Sequence, residues 1–149
     1  MILPGTKLYF VGIGGVGMSS VAGLMQHYGC VIEGSDQGLF SPTKEVLESL
    51  AIAVNTPYSA QNVQSSNAEL FVIANCLSRG HPEVEYIVEN KLPYTSFPEL
   101  LAKTLLPERT PVVVCGTHGK TTVSSLLSHC LLELGESPSF FIGGRPENF

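Results

Sequence analysis

The sequence predicts an α/β protein built on a parallel sheet. Short apolar runs alternate with segments that carry apolar residues at helical spacing, which is typical of strand–helix–strand units. Two of these runs end in glycine turns that open a helix, at residues 12–17 and 116–119. At 149 residues, we expect one full domain and a piece of a second.

The first strand–turn–helix unit lies near the N-terminus. Residues 7–11 form an apolar run that predicts a strand, and Val21 and Met25 share one face of a helix that ends at Gly29. Between them, glycines follow the G-x-G-x-x-G spacing, which lets backbone approach a diphosphate and is typical of Rossmann-like domains. The candidate binding residues of this turn are Gly12, Ile13, Gly14, Gly15, Val16, Gly17 and Met18.

A second predicted strand, residues 31–34, leads to Ser35 and Asp36. An acidic residue at a strand end, about 20 residues after such a turn, accepts hydrogen bonds from a ribose. The alternative for Asp36 is a turn-forming aspartate before Gly38. The strand, the turn and Asp36 together indicate a dinucleotide-type or UDP-type site, which suits NAD as well as a UDP sugar.

The next elements continue the alternation. Ser41 and Pro42 predict the N-cap and first turn of a helix, and residues 51–54 predict a strand. Residues 56–67 are polar and predict a loop with room for one helical turn. Residues 70–74 are apolar throughout, as expected for a central strand covered on both faces.

Three polar residues follow that central strand. In open α/β sheets, ligands bind at the carboxyl ends of the strands, so Asn75, Ser78 and Arg79 are candidate contacts for an anionic substrate. A solvated turn would use the same residue types equally well. His81, which precedes Pro82, is interpreted as a helix-capping or surface histidine rather than a base.

The first domain is predicted to end after one more strand. Pro82 opens a helix, residues 92–95 return as a short strand, and Ser96 stands at capping-box spacing before Glu99 in the last helix. A proline-bounded segment, residues 106–111, is the predicted linker.

The second glycine turn resembles a phosphate loop. It consists of Gly116, Thr117, His118, Gly119, Lys120, Thr121 and Thr122, between a predicted strand at 112–114 and a helix. Lys120 would neutralise the β- and γ-phosphates of ATP, and the hydroxyl of Thr121 or Thr122 would bind Mg²⁺. The alternative is a plain helix start with Gly119 as the cap and Lys120 in solvent.

The rest of this second unit is short. The helix after the loop is predicted to end at Gly135, a strand follows at 139–142, and residues 143–145 form a turn. We expect so few elements to be a truncated second domain, because they cannot close a core. The helix residues predicted to be buried are Val123, Leu126, Leu127, Cys130 and Leu134.

Composition excludes several classes of function. A net charge of −5 and the lack of a basic run argue against nucleic-acid binding. No apolar stretch reaches the roughly 18 residues that a membrane helix needs, and no signal peptide is recognisable, so we expect a cytoplasmic protein away from membranes. Four cysteines lack metal-ligand spacing and are predicted to be buried thiols, namely Cys30, Cys76, Cys115 and Cys130.

Two phosphate-type glycine turns in series resemble the Mur ligases of bacterial cell-wall synthesis. The resemblance rests on residues 12–18, 34–36 and 116–122 and covers Lys7 to Phe149. It implies a Rossmann-like UDP-sugar-binding domain at 1–105, a linker at 106–111, and the first strand-loop-helix-strand of a P-loop ATPase domain at 112–149. By the same resemblance, Asp36 and the first turn, with Ser35, would bind UDP, and Asn75, Ser78 and Arg79 would lie toward the muramyl group.

The resemblance also implies the reaction. ATP would phosphorylate the carboxylate of UDP-N-acetylmuramate, and an amine would attack the acyl phosphate to give an amide, with Lys120 and Thr121 in catalytic roles. Further magnesium ligands would lie outside this chain, so these 149 residues are predicted to bind the UDP sugar without turnover. No protein partner is evident.

Within that family, the resemblance favours the murein tripeptide as the amine substrate, with L-alanine as the alternative. Residues 75–86 and 141–149 resemble members that add the tripeptide L-Ala-γ-D-Glu-meso-diaminopimelate during recycling, whereas residues 12–18 resemble members that add L-alanine. The remote alternatives are an NAD-dependent dehydrogenase domain, which would not need the second turn, and a non-catalytic nucleotide-sensing module, which would need a fused effector domain.

Overall fold

The structure is a computed structural model that describes residues 3–107 and 109–143. The chain divides into two compact units, Met1–Arg109 and Thr110–Phe149. In the first unit, strands and helices alternate along the chain, as the sequence predicts. Its elements are β1 (Lys7–Val11), α1 (Val16–His27), β2 (Val31–Ser35), α2 (Thr43–Ser49), β3 (Ala53–Asn55), α3 (Ala60–Ser65), β4 (Leu70–Ile73), α4 (Pro82–Glu89), β5 (Tyr94–Ser96) and α5 (Phe97–Thr104).

The sheet of the first unit has five parallel strands in the order β3-β2-β1-β4-β5. The strand order reverses at β1, and such a switch point opens a crevice at the carboxyl ends of the strands. Val11, the last residue of β1, pairs with Ser35 in β2 and with Ile73 in β4. The loops that follow β1, β2 and β4 therefore leave the sheet at the same level.

Both faces of the sheet are covered, because alternate residues of the central strand β1 point to opposite sides. Leu8 and Phe10 belong to a core cluster that contains Met25 of α1, Leu47 of α2 and Leu100 of α5. Tyr9 and Val11 pack on the other face with Val63 of α3 and Ile87 of α4. The predicted α/β fold with a parallel sheet is confirmed.

Several boundaries differ from the prediction. Helix α2 begins at Thr43 with Pro42 at the N-cap, and the Ser41 hydroxyl donates to Glu45 Oε1 at 2.6 Å, so Ser41 is not the cap. The polar segment predicted as a loop with room for one helical turn contains the six-residue helix α3, which Ser59 caps by accepting from the Gln61 N–H at 3.3 Å. Short polar helices of this kind depend on tertiary packing, which local sequence does not report.

The two later caps agree with the prediction. His81 is the N-cap of α4, and its Nδ1 accepts from the Val84 N–H at 3.5 Å. Ser96 is the N-cap of α5, and its hydroxyl accepts from the Glu99 N–H at 3.4 Å. The interpretation of His81 as a capping residue is confirmed.

The second unit contains one helix among its described residues, α6 (Lys120–Glu133). Gly119 is its N-cap at φ +77°, and Gly135, where the sequence predicts the helix to end, follows it at φ +82°. The strands predicted at 112–114 and 139–142 are wrong, because neither segment pairs with another strand in the described part of the chain. Residues 144 and 145 of the predicted turn lie outside the described residues.

The predicted burial of α6 is also wrong. Val123, Leu126, Leu127, Cys130 and Leu134 are all exposed, Leu126 at 60%. An apolar helix face is buried only where a second layer packs on it. The same reason applies to Val112 and Val113, which are exposed because no strand in the described part of the chain pairs with them.

The four cysteines differ in burial. Cys30 is buried, and burial raises the pKa of its thiol. Cys76, Cys115 and Cys130 are exposed, so the prediction of four buried thiols is correct for Cys30 alone.

Within residues 3–107 and 109–143, no cluster of His, Cys, Asp and Glu is suited to a metal ion. Of the helices in those ranges, none has the length and apolarity needed to cross a membrane.

Candidate functional site

The turn between β1 and α1 is held by backbone hydrogen bonds to the end of β2. The N–H groups of Gly12 and Ile13 both donate to the Ser35 carbonyl, at 2.9 and 3.0 Å. Gly12 has φ +85°, and a Cβ there would lie 2.8 Å from the Ala74 Cβ. Glycine is required at this position for its conformation and for the space.

Asp36 binds the same turn through its side chain. Its Oδ2 accepts from the Gly14 N–H at 2.8 Å, and its Oδ1 accepts from the Gln37 N–H at 2.7 Å. A Cβ on Gly14 would lie 2.8 Å from that Oδ2, so glycine permits the approach. The residue predicted as a ribose ligand therefore also ties β2 to the glycine turn.

The first turn of α1 provides donors for an anion. Helix α1 begins at Val16, its N-cap is Gly15, and no side chain caps it. The first three N–H groups of a helix have no acceptor within the helix, and the helix dipole adds positive potential there. Residues 16–18 can therefore bind an oxyanion such as a diphosphate.

Tyr58 and His81 form a wall beside this turn. The rings meet edge to face, with centroids 4.3 Å apart, and the Tyr58 hydroxyl lies 3.6 Å from where a Cβ on Gly12 would be. Burial, followed by the charge of Asp36, raises the pKa of Tyr58. Burial lowers the pKa of His81, although the charges of Glu83 and Asp36 oppose this effect. Both rings are thus neutral near pH 7.

Asn75, Ser78 and Arg79 follow β4 and are exposed. Ser78 and Arg79 lie in an open cleft of about 450 Å³ that is also lined by Leu77, Val84, Glu85 and Val88. No salt bridge involves Arg79 within the described ranges. The cleft thus presents an unpaired guanidinium beside apolar side chains, and the predicted contact with an anionic substrate stays a prediction.

The second glycine turn is held by contacts within itself. The Lys120 ammonium donates to the carbonyls of Gly116 and Thr117, at 2.7 and 3.2 Å. No side chain caps α6, and its first turn carries no acidic residue. The predicted ATP-binding residues Gly116, Thr117, His118, Gly119, Lys120, Thr121 and Thr122 are all exposed. Free first-turn donors, a lysine and threonine hydroxyls form a donor set that fits a nucleotide phosphate with Mg²⁺.

A comparison with protein families identifies the family of this chain. Residues 7–109 match the family described as "Mur ligase family, catalytic domain". The chain belongs to the Mur ligase family. The match covers most of the chain and contains the whole first turn together with Asp36 and Arg79.

Relatives of this Mur ligase chain have names that specify two amine substrates. It is 35% identical over 143 residues to the UDP-N-acetylmuramate–L-alanyl-γ-D-glutamyl-meso-2,6-diaminoheptandioate ligase of Escherichia coli (strain K12), covering 96% of this chain and 31% of that protein. It is 38% identical over 138 residues to the UDP-N-acetylmuramate–L-alanine ligase of Nitrosomonas europaea, covering 93% of this chain and 28% of that protein. The chain therefore spans less than a third of the length of these relatives.

Solved structures agree with this assignment. The UDP-N-acetylmuramate:L-alanyl-γ-D-glutamyl-meso-diaminopimelate ligase from Neisseria meningitides matches with a TM-score of 0.92 and 36% identity, over 97% of this chain and 45% of that one. The UDP-N-acetylmuramate–alanine ligase from Thermotoga maritima matches with a TM-score of 0.81 and 31% identity, over 95% of this chain and 33% of that one. The Mur ligase chain shares its fold with both.

Sequence reasoning missed two residues beside the first turn. Tyr58 lies in a segment predicted as a polar loop, and only the fold brings its ring next to Gly12. Glu83 occupies the first turn of α4, where an acid normally suits the helix dipole from the surface, yet it is fully buried. Both residues can be recognised only by their proximity to the turn in the fold, and the local sequence contains no sign of that proximity.

Proposed function

We propose that this Mur ligase chain is the nucleotide-binding part of an ATP-dependent ligase that joins L-Ala-γ-D-Glu-meso-diaminopimelate to UDP-N-acetylmuramate through an acyl phosphate. The observation that carries the proposal is a diphosphate-type turn tied to Asp36, in a chain 35% identical to a ligase named for that reaction. The product is an amide in peptidoglycan recycling, with ADP and phosphate released.

The first turn would hold the UDP part of the sugar nucleotide. The N–H groups of residues 16–18 would donate to the diphosphate, and Gly12 and Gly14 give the backbone the close approach that this requires. Asp36 keeps acceptor capacity beyond its two short backbone bonds, which ribose hydroxyls would use. The full proposed set is Gly12, Ile13, Gly14, Gly15, Val16, Gly17, Met18, Ser35, Asp36, Asn75, Ser78 and Arg79.

The second turn would hold ATP. The Lys120 ammonium, which donates to two loop carbonyls, would move to the phosphates because anionic oxygens are the stronger acceptors. The Thr121 hydroxyl is exposed in the first turn of α6 and would take one position in the magnesium shell. Magnesium would supply charge neutralisation at the phosphoryl oxygens, while the chain positions them.

Calorimetric titration with UDP-N-acetylmuramate, UDP and NAD tests the first site. We expect saturable binding of UDP-N-acetylmuramate, tighter than that of UDP, and no heat from NAD. Binding of NAD alone would replace the proposal with a dehydrogenase domain. A titration with MgATP and Lys120→Ala as the matched variant tests the second site, for which we expect at least a tenfold weaker affinity in the variant.

The second candidate is ligation of L-alanine to the same sugar nucleotide. It is favoured by the 38% identity to the ligase of Nitrosomonas europaea named for that reaction. Ligation assays of the whole protein with L-alanine or the tripeptide as the only amine separate the two. Turnover with L-alanine and none with the tripeptide would overturn the primary proposal.

A further inference from the structure

A charged side chain lies buried beneath the first glycine turn. Glu83, in the first turn of α4, is fully inaccessible to solvent. Its Oε2 accepts from the Ser35 hydroxyl, and its Oε1 accepts from the Ser59 N–H at 3.0 Å and from Asn62 Nδ2 at 2.8 Å. Every one of these donors comes from outside α4, so the carboxylate joins β2, the start of α3 and α4.

Helix stabilisation does not account for this burial. An acid in a first helical turn gains its interaction with the dipole while it remains in water, as the half-buried Glu85 does when it accepts from the Gly80 N–H. Removing a carboxylate from water is costly, and no salt bridge within the described ranges compensates Glu83. The Glu83 carboxylate is therefore stabilised by hydrogen bonds from neutral donors, and these bonds also fix the positions of the donors.

Two of those donors, Ser35 and Ser59, adjoin residues of the proposed UDP-sugar site. The Ser35 carbonyl accepts the N–H groups of Gly12 and Ile13, so fixing the Ser35 side chain also fixes the residue that holds the turn. Ser59 is adjacent to Tyr58, whose ring packs edge to face on His81 and whose hydroxyl lies 3.6 Å from where a Cβ on Gly12 would be. One carboxylate thus connects to the glycine turn and to the segment that carries Tyr58.

We propose that Glu83 is a positioning residue for sugar-nucleotide binding, which acts through Ser35 on the glycine turn and through Ser59 on Tyr58. The inference rests on the proposed function for the identity of the ligand. Glu83 itself lies beneath the turn and does not touch the nucleotide.

A double-mutant cycle tests the connection through Ser35. Glu83→Gln keeps the carbonyl that accepts from Ser59 and Asn62 and removes the second acceptor, which serves Ser35. We expect Glu83→Gln and Ser35→Ala each to raise the Kd for UDP-N-acetylmuramate about tenfold, and the double variant to raise it no further. Fully multiplicative effects would show that Glu83 does not act through Ser35 and would overturn the proposal.

Ile87→Ala is the matched control for stability. Ile87 is one helical turn from Glu83, is also fully buried and takes no part in the hydrogen bonds that join Glu83 to Ser35, Ser59 and Asn62. Its truncation should lower the thermal midpoint by opening a cavity and leave the Kd unchanged, measured well below every midpoint. If Ile87→Ala raises the Kd as much as Glu83→Gln, the effect is general loosening and the proposal is wrong.

Amide hydrogen exchange decides the same question without a ligand. In Glu83→Gln, exchange at Gly12 and Ile13 should accelerate about tenfold more than at Phe10 within β1, whereas Ile87→Ala should show no such difference. Equal acceleration at all three amides would overturn the proposal. If the parent chain fails to bind UDP-N-acetylmuramate, the proposed function falls, and the exchange data still decide the role of Glu83 in the turn.

Discussion

The two glycine turns of this Mur ligase chain are similar in sequence and different in how they are held. In the first, the backbone N–H groups of Gly12, Ile13 and Gly14 donate to groups at the end of β2. In the second, the Lys120 ammonium bonds to carbonyls of its own loop, and the surrounding residues are exposed. The first turn is fixed by tertiary contacts and the second by local ones.

This difference teaches what a glycine motif requires. Glycine permits a turn with φ above zero at both Gly12 and Gly119. It does not make that turn more stable than the other conformations that glycine can adopt. At the first turn, hydrogen bonds to β2 and Asp36 stabilise one conformation. Substitutions should therefore cost far more in the first turn than in the second, and the chain allows this to be measured.

Both turns contain a glycine at similar φ, and this pair should give the largest contrast. Gly12→Ala combines φ +85° with a Cβ 2.8 Å from the Ala74 Cβ, so we expect a loss of about 3 kcal/mol in the free energy of unfolding. Gly119→Ala, at φ +77° with none of the described residues within 4 Å of the new Cβ, should cost about 1 kcal/mol locally.

Tyrosine fluorescence in urea measures this contrast for the first unit. The chain has no tryptophan, and all five tyrosines lie within residues 9–94. Gly12→Ala should shift the midpoint strongly, whereas Gly119→Ala should leave it in place, with its own cost visible in far-ultraviolet circular dichroism of α6. Equal shifts of the urea midpoint in the two variants would contradict the inference that tertiary contacts hold only the first turn.

Removing the side chain that ties the first turn should have the next largest effect. Asp36→Ala leaves the N–H groups of Gly14 and Gln37 without their acceptors, and we expect a loss of about 2 kcal/mol. Asp36→Asn keeps one carbonyl acceptor and should lose less. Urea titration compares the two, and an unchanged midpoint in Asp36→Ala would contradict the role given to this carboxylate.

A smaller effect should follow from pH. Burial lowers the pKa of His81 below its ordinary 6.5, so the unfolded chain binds more protons than the folded one as the pH falls below that value. Stability of the first unit should be complete above about pH 6.5 and decline below it. His81→Asn keeps a capping acceptor and should flatten this part of the profile. An identical pH profile in both proteins would contradict the assignment.

The smallest effect on stability is expected at the second turn. Lys120→Met removes the ammonium from two exposed carbonyls, which should change the free energy of unfolding by no more than about 0.5 kcal/mol. Thermal unfolding followed by far-ultraviolet circular dichroism checks this value. A loss as large as that of Asp36→Ala would show that the two turns are held alike.

Much of the first unit could be read from the sequence. Apolar runs and helical periodicity identify β1, α1, β2 and β4 because buried strands and amphipathic helices carry regular patterns. Caps such as His81 and Ser96 are local, and their neighbours in sequence suffice to predict them. The glycine turns and the family resemblance also depend on short stretches of consecutive residues.

The tertiary structure decided the features that join distant segments. Gly34 is an ordinary strand residue in sequence, yet a Cβ there would lie 2.6 Å from the Phe10 carbonyl oxygen. The burial of Glu83, the place of Tyr58 and the use of Asp36 as a tie to Gly14 all arise where loops from different strands meet. Conversely, residues 112–114 have strand-forming sequence, but within the described residues no strand pairs with them, and a strand needs a neighbour to form.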